Sequence, residues 1–266
     1  MRKNTARKGL AAPISLLILI SSFTILSTAT YYVAMSSINA KAGNLNYSAA
    51  KQEMLVLDGF ILTLARSPGS AMVLTFQGYA GIFRVRPELR YMAISISLGS
   101  VKDIIFSSNI GLVEYELPST DVTEAGLYLA GDAGLIVNRS STTMSQLCIV
   151  RGANGQDSHL GYRPLVSYYT ETLDNEAANT LRIYLINLNS SRNSVLQGNF
   201  KIRVSGVNVT CQTRDYRIPS QVTAVTVTAS VDGRQDAVIV RIPESVTTIV
   251  RTELIVFNVR LEEVKE

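Results

Sequence analysis

The sequence predicts an α+β chain. A long N-terminal helix, transmembrane in its first half and amphipathic in its second, is followed by an antiparallel β-sheet or β-sandwich head. Three observations predict this. No charged residue occurs from Gly9 to Ala40. Apolar residues then recur at helical spacing as far as Ser67. Beyond Gly69 the chain breaks into short β-rich runs punctuated by Gly, Pro, Asn and Asp.

The apolar stretch Leu10–Met35 is long enough to cross a bilayer as a helix, which takes roughly 20 mainly apolar residues. Ser15, Ser21, Ser22, Thr24, Ser27, Thr28 and Thr30 dilute it without forbidding insertion. Hydroxyls can hydrogen-bond their own helix backbone and so cost far less in lipid than charges. Tyr31 and Tyr32 fall where an interfacial aromatic belt would begin. From Ser36 to Ser67 the expected apolar stripe is Met35, Ile38, Leu45, Ala49, Val56, Phe60 and Leu64, interrupted by Lys41, Lys51, Gln52, Glu53 and Asp58. Gly43 with Asn44 and Asn46 predicts a kink or local melting, and Arg66-Ser67-Pro68-Gly69 is the stop. The domain reading is therefore 1–9 as a leader, 10–67 as the helix (10–35 transmembrane, 36–67 amphipathic) and 68–266 as the β-rich part.

Expected strands are Ala71–Tyr79, Ile82–Arg86, Tyr91–Leu98, Val113–Leu117, Leu135–Val137, Tyr162–Tyr169, Leu181–Leu188, Asn199–Val209, Gln221–Val231, Ala237–Ile242 and Thr252–Val264. Asp232-Gly233 between two such runs signals a hairpin. The Gly126–Gly134 region needs turns, Gly152–Gly161 reads as a flexible loop, and Thr170–Ala178 reads as a connecting loop or short helix. That last segment marks a subdivision of the head near 170–180 if there are two small β units.

The chain is basic overall, with 25 Lys and Arg against 21 Asp and Glu. Arg2, Lys3, Arg7 and Lys8 account for the whole excess, and no acid precedes Glu53. Charge placed this way is a topology signal, not a nucleic-acid surface. It holds the first residues in the cytoplasm and sends the remainder across. Cys148 and Cys211 allow one disulfide outside the cytoplasm, or are two small buried hydrophobes. Asn46, Asn138, Asn189 and Asn208 head four N-x-S/T acceptor sequences for N-glycosylation.

Side chains for catalysis or metal binding are sparse. The single histidine, His159, lies beside Asp157 and Ser158, and adjacent residues do not generally point at one another as a catalytic triad requires. No His/Cys/carboxylate set has zinc spacing. Asp121, Glu124 and Asp132 match no known calcium loop, and Gly152–Gly155 lacks the Lys-Ser/Thr of a phosphate loop. Glu114 and Glu116 read as one solvated strand face, and Arg84, Arg86 and Arg90 as a poor nucleic-acid patch. The expectation is a protein that is not an enzyme and carries no cofactor or metal.

The order Arg7-Lys8-Gly9-Leu10-Ala11-Ala12-Pro13-Ile14-Ser15 resembles the class III signal peptide of type IV pilins and archaellins. Archaeal pilin-like proteins are the most similar, since theirs often run Lys-Ala/Gly-Leu-Ser-Pro-Val-Ile-Ala. The resemblance implies cleavage by a prepilin peptidase after Gly9, leaving Leu10 as the mature N-terminus, with the apolar helix retained. Bacterial pilins carry a glutamate at the fifth mature position, where this chain has Ile14, which sets it apart from bacterial major pilins. Ser67-Pro68-Gly69-Ser70 leading into Ala71–Phe76 is also similar in layout to exported archaeal pilin-like proteins. The motif covers residues 7–35 and the layout the whole chain. The resemblance implies a subunit, major or minor, of an archaeal surface filament or a related adhesion or secretion apparatus. Its partners would be other pilin-like subunits through the N-terminal helix, the prepilin peptidase, the pilus assembly machinery and membrane lipid. Two alternatives stay open. One is a membrane-anchored extracytoplasmic binding domain that never polymerises. The other is a secreted protein that has lost a signal peptide near Thr28-Ala29-Thr30 or Tyr32-Val33-Ala34.

Overall fold

The computed structural model describes residues 11–79, 81–118, 123–138, 143–153, 155–173, 176–217, 223–242 and 249–265. The leader residues Arg7, Lys8, Gly9 and Leu10 lie outside these. The described chain is one helix, α1 (Ala11–Ala65), and thirteen strands. It divides into two units, Met1–Asn46 and Tyr47–Glu266, so the second half of α1 belongs with the strands.

The helix is unbroken through Gly43, Asn44 and Asn46, and the expected melting does not occur. A glycine in a helix interior costs about 1 kcal/mol relative to alanine. That is a small penalty once helix is established on both sides and each further residue only propagates it.

The strands are β1 (Ala71–Phe76), β2 (Ile82–Leu98), β3 (Val101–Glu116), β4 (Tyr128–Ala130), β5 (Ser145–Arg151), β6 (Gln156–Tyr162), β7 (Leu165–Leu173), β8 (Glu176–Asn187), β9 (Ser194–Gln197), β10 (Phe200–Arg217), β11 (Ala224–Val231), β12 (Arg234–Arg241) and β13 (Ile249–Glu263). They form a five-stranded sheet ordered β1-β10-β13-β8-β7 and an eight-stranded sheet ordered β12-β11-β2-β3-β6-β5-β4, in which β9 joins β2 beside β11. Pairing is antiparallel throughout except for β13 with β8, which is parallel.

Several segments differ from the sequence expectation. Arg86 and Tyr91 belong to one strand that continues through Pro87–Leu89, with a register irregularity between Arg86 and Arg90 that spares the proline a ladder bond. Gly152–Gly161 is mostly strand β6, not a loop, because its polar residues alternate with the buried Ser158 and Leu160. Of Thr170–Ala178, Thr170–Leu173 lie in β7 and Glu176–Ala178 in β8, paired antiparallel in one sheet with Thr170 opposite Asn179, so these residues are strand and neither loop nor helix. Leu135–Val137 contributes only the bridge Val137–Leu165.

Two buried clusters fill the head. One lies between the sheets and joins Ile94 and Ile96 of β2 and Val225 and Val227 of β11 to Leu181 and Ile183 of β8 and Leu254 of β13. The other surrounds the second half of α1, where Tyr47, Ala50, Met54, Leu57, Ile61 and Leu64 are buried against Phe76, Phe83, Tyr115, Leu147, Phe200, Ile202 and Val259. Phe76 is the hub of its aromatic part, with ring centroids 4.9 Å from Phe83, 5.0 Å from Phe200 and 6.0 Å from Tyr115.

The helix therefore buries a stripe rotated from the expected one. Of the expected residues only Leu64 is fully buried, and Leu45 is 71% exposed. The observed spacing alternates three and four from Tyr47 to Leu64, which is the seam that a helix presents to a narrow groove. The helix ends where expected. Gly69 takes the left-handed conformation (φ 83°), and its N–H donates to the Gly206 carbonyl at 2.8 Å. Gly206 in β10 has no room for a side chain, since a Cβ there would sit 2.4 Å from the Leu64 carbonyl oxygen. The Asp232-Gly233 hairpin forms as predicted, both residues having positive φ, and joins β11 to β12.

Gly206→Ala is expected to lower stability by about 1–3 kcal/mol, as overpacking does. Gly59→Ala, on an exposed helix position with nothing within 4 Å of the added carbon, is expected to raise it by about 0.5–1 kcal/mol. Urea unfolding of the two detergent-solubilised variants checks both signs.

Candidate membrane and assembly helix

The first half of α1 is apolar on every side and exposed on every side. Phe23 and Ile25 are each 70% exposed and Tyr32 is 75% exposed. In a water-soluble domain such a surface would be buried, and here no described residue covers it. Three of its hydroxyls are matched internally. Thr24, Thr28 and Thr30 donate to the carbonyls of Ile20, Thr24 and Leu26 at 2.9, 2.8 and 2.8 Å. These three side chains thus leave no free O–H donor to be desolvated in lipid. A helix of this length and hydropathy is compatible with a single-pass membrane anchor.

The second half of the helix is fixed in the head by polar contacts as well as by its apolar seam. Asp58 is buried beside Leu57 and accepts hydrogen bonds from Ser145 Oγ at 2.6 Å and the Tyr162 hydroxyl at 2.8 Å. Desolvation raises the Asp58 pKa, and the two hydroxyl donors oppose that rise. The fully buried Tyr162 hydroxyl is driven well above its ordinary value by burial and by the neighbouring carboxylate. Glu53 accepts from the Gln77 N–H at 3.0 Å, and its pKa too is raised by burial. At the start of the buried seam Lys51 Nζ and the Tyr47 hydroxyl both bond Glu124, at 2.7 and 3.0 Å. The sequence signal for Asp58 was there to be read, because an acid next to Leu57 falls inside the three-four seam. The stripe expected from sequence had the wrong phase and put Asp58 among the polar interruptions.

The remaining candidate residues are not brought together. Both cysteines are free, Cys148 in β5 of the eight-stranded sheet and Cys211 in β10 of the five-stranded sheet. No disulfide joins them. His159 sits in β6 opposite Glu114 and Cys148, and Asp157 shares its face while Ser158 points the other way and is buried. Burial lowers the His159 pKa, against the pull of Glu114 and Asp157. Glu114 and Glu116 are paired with Arg86 and Arg84 at 2.7 and 3.2 Å, so that face is a charge ladder.

Glu124 is committed to Lys51, and Asp132 to the buried guanidinium of Arg163, which also donates to the Gly134 carbonyl at 2.8 Å. Asp121 lies outside the described residues. Among the described residues no group of three His, Cys, Asp or Glu side chains is placed to hold a metal ion. A cleft of about 310 Å³ at the end of α1, lined by Leu62, Met144, Leu165, Tyr184 and Phe257, carries Arg66 as its one charged group and no nucleophile. The four acceptor asparagines Asn46, Asn138, Asn189 and Asn208 are all exposed. Two of the four sequences are engaged in the fold. Ser191, two residues after Asn189, is buried and accepts from the Leu261 N–H at 3.0 Å, and the Asn208 side chain accepts from Asn258 at 2.7 Å.

Comparison with protein-family models, curated proteins and solved structures gives no match.

Phe23→Lys puts a charge at the middle of the apolar segment, at a cost of about 2.5–3.5 kcal/mol for insertion. The variant is expected to shift from the carbonate-resistant membrane fraction to the soluble or aggregated fraction, as read by immunoblot. For Asp58 the sign follows from its raised native pKa. Above the ordinary value of 3.8 the native state binds more protons than the unfolded chain. Stability therefore falls as pH rises, until the native carboxyl has itself ionised. Urea midpoints measured from just above that value to neutrality should show this decline in the difference between the unaltered chain and Asp58→Asn, which cancels the slopes of the other carboxylates.

Proposed function

We propose that the chain is a pilin-like subunit of an archaeal type IV pilus-like surface filament, or of a related adhesion or secretion apparatus. It assembles through the apolar first half of α1. The observation that carries this reading is that half-helix, apolar and exposed all round, in one continuous helix whose second half is core to a β-sandwich. In lipid such a segment holds the subunit as a single-pass protein. In a filament the same surface packs helix against helix, with Ala11, Ala12, Ser15, Ser21, Ser22, Ser27 and Ala29 allowing close approach. The heads then form the coat. The basic residues Arg7 and Lys8 ahead of Gly9 support retention of the leader in the cytoplasm and export of the head. Other pilin-like subunits, a prepilin peptidase and an assembly apparatus are the partners that follow.

Intact mass and N-terminal sequencing of the membrane-associated protein test the reading. A polypeptide beginning at Leu10 is the expected result, and Gly9→Val should leave the leader attached and filaments absent by electron microscopy. A polypeptide beginning at Met1 would make the chain a plain membrane anchor. One beginning near residues 30–35 would make it a secreted protein.

A further inference from the structure

Strand β10 is covered on one side by β1 only over Phe200–Ser205. From Val207 to Arg217 that side pairs with no strand among the described residues, while Asn208–Arg217 pair along the other side with Ile249–Asn258 of β13. Every residue of this run except Tyr216 is exposed. Strand β3 repeats the arrangement in the other sheet. Strand β2 pairs along one side of it from Val101 to Tyr115, whereas β6 covers only Val113–Glu116, so Val101–Leu112 pair on that side with no strand among the described residues. The two bare edges lie on the same flank of the sandwich, because Arg214 Nη1 and the Tyr216 hydroxyl of β10 each reach Asp103 of β3 at 2.6 Å.

Sandwiches that stay monomeric guard such edges with proline, lysine or a bulge that turns the strand away. Here no proline interrupts either run and Lys102 is the one lysine; each run holds one extra residue, Val207 at the start of the β10 run and Ile105 in the β3 run, and from Asn208 to Arg217 the β10 register with β13 is unbroken. Of the nearby charges, Arg214 is paired with Asp103 and Asp215 with Arg251 at 2.8 Å, and Arg217 stands at the far end of the run. That leaves Asn208–Thr213 free of charge, a polar, β-prone segment whose outward N–H and C=O groups face solvent.

We propose that this double edge is an interface between two copies of the head. An occupant that satisfies both runs must itself offer two bare strands separated by the thickness of a sandwich, about 10 Å. A second copy offers them. A two-fold axis normal to the sheets sets β10 antiparallel to its counterpart and β3 antiparallel to its counterpart, extending both sheets across the contact. A single extended peptide would satisfy one run and leave the other bare. The contact uses only the head, so it is independent of how the N-terminal helix is employed. Edge pairing of this kind is weak for one pair and strengthens when many copies are held close together.

Cys211 lies within the bare β10 run and is exposed, which makes it a reporter of the contact. The full chain in detergent, treated with a short bismaleimide, should give a covalent dimer that persists in Cys148→Ser and is lost in Cys211→Ser. Thr210→Lys/Gln212→Lys, which sets like charges opposite one another, should cut the dimer yield about tenfold with an unchanged thermal melt by circular dichroism. Phe23→Lys, which disables the apolar helix, should leave the yield as it was. In a Cys211→Ser background, Ser108→Cys should restore a dimer through the β3 edge. Absence of a dimer in the unaltered chain, indifference to the lysine pair, no dimer from Ser108→Cys, or loss of the dimer with Phe23→Lys would each overturn the proposal. The last would mean that helix packing had brought the cysteines together.

Discussion

The structure depends on one seam, the line of Tyr47, Ala50, Met54, Leu57, Ile61 and Leu64 buried in the β head. The sheets do not close on themselves at this end. Phe76, Phe83, Phe200 and Tyr115 come from four different strands and meet around a space that the helix fills. The helix thus supplies the middle of a core whose walls are strands, and the strands fix where the helix becomes a water-facing element. One continuous helix carries two kinds of surface, exposed and mostly apolar in its first half and a single buried stripe in its second.

Polar groups inside this core set the helix along its axis in a way that apolar contact does not. A stripe of Leu, Ile and Met can slide by a turn and still bury area. Asp58 can meet both Ser145 and Tyr162 at one height only. The desolvation that raises its pKa opposes this placement, and removing either hydroxyl would leave the carboxyl less well satisfied. Lys51 and Tyr47 on Glu124 act at the other end of the seam, and Gly206 beneath Leu64 closes it. These contacts lie along the buried half of the helix, so the register is fixed from both ends.

Much of this architecture is legible in the residues. Lack of charge from Gly9 to Ala40 marks the exposed apolar half, Ser67-Pro68-Gly69 marks the stop, and Asp232-Gly233 marks a hairpin that forms as expected. What is not legible depends on tertiary context. The helix phase failed because Leu45, Ala49, Val56 and Phe60 also recur at helical spacing, and only the groove decides which stripe is covered. Strand β6 was hidden because Gln156, Asp157 and His159 are polar, yet Asp157 and His159 form one face of a strand whose other face carries the buried Ser158 and Leu160. The stretch 170–178 looked like a linker because it is polar in sequence. The separation of Cys148 and Cys211 into different sheets follows from the strand order, which composition does not encode.

Because Tyr47 to Ala65 are walled in by strands, the boundary of the independently folding part does not coincide with the end of the helix. A fragment cut at Gly69 would open a trough lined by Phe76, Phe83, Tyr115 and Phe200 to water and invite clumping. A soluble version of the head has to start upstream of Tyr47 and carry its own piece of rod. Any protease that releases the head intact must cut within the exposed stretch before that tyrosine.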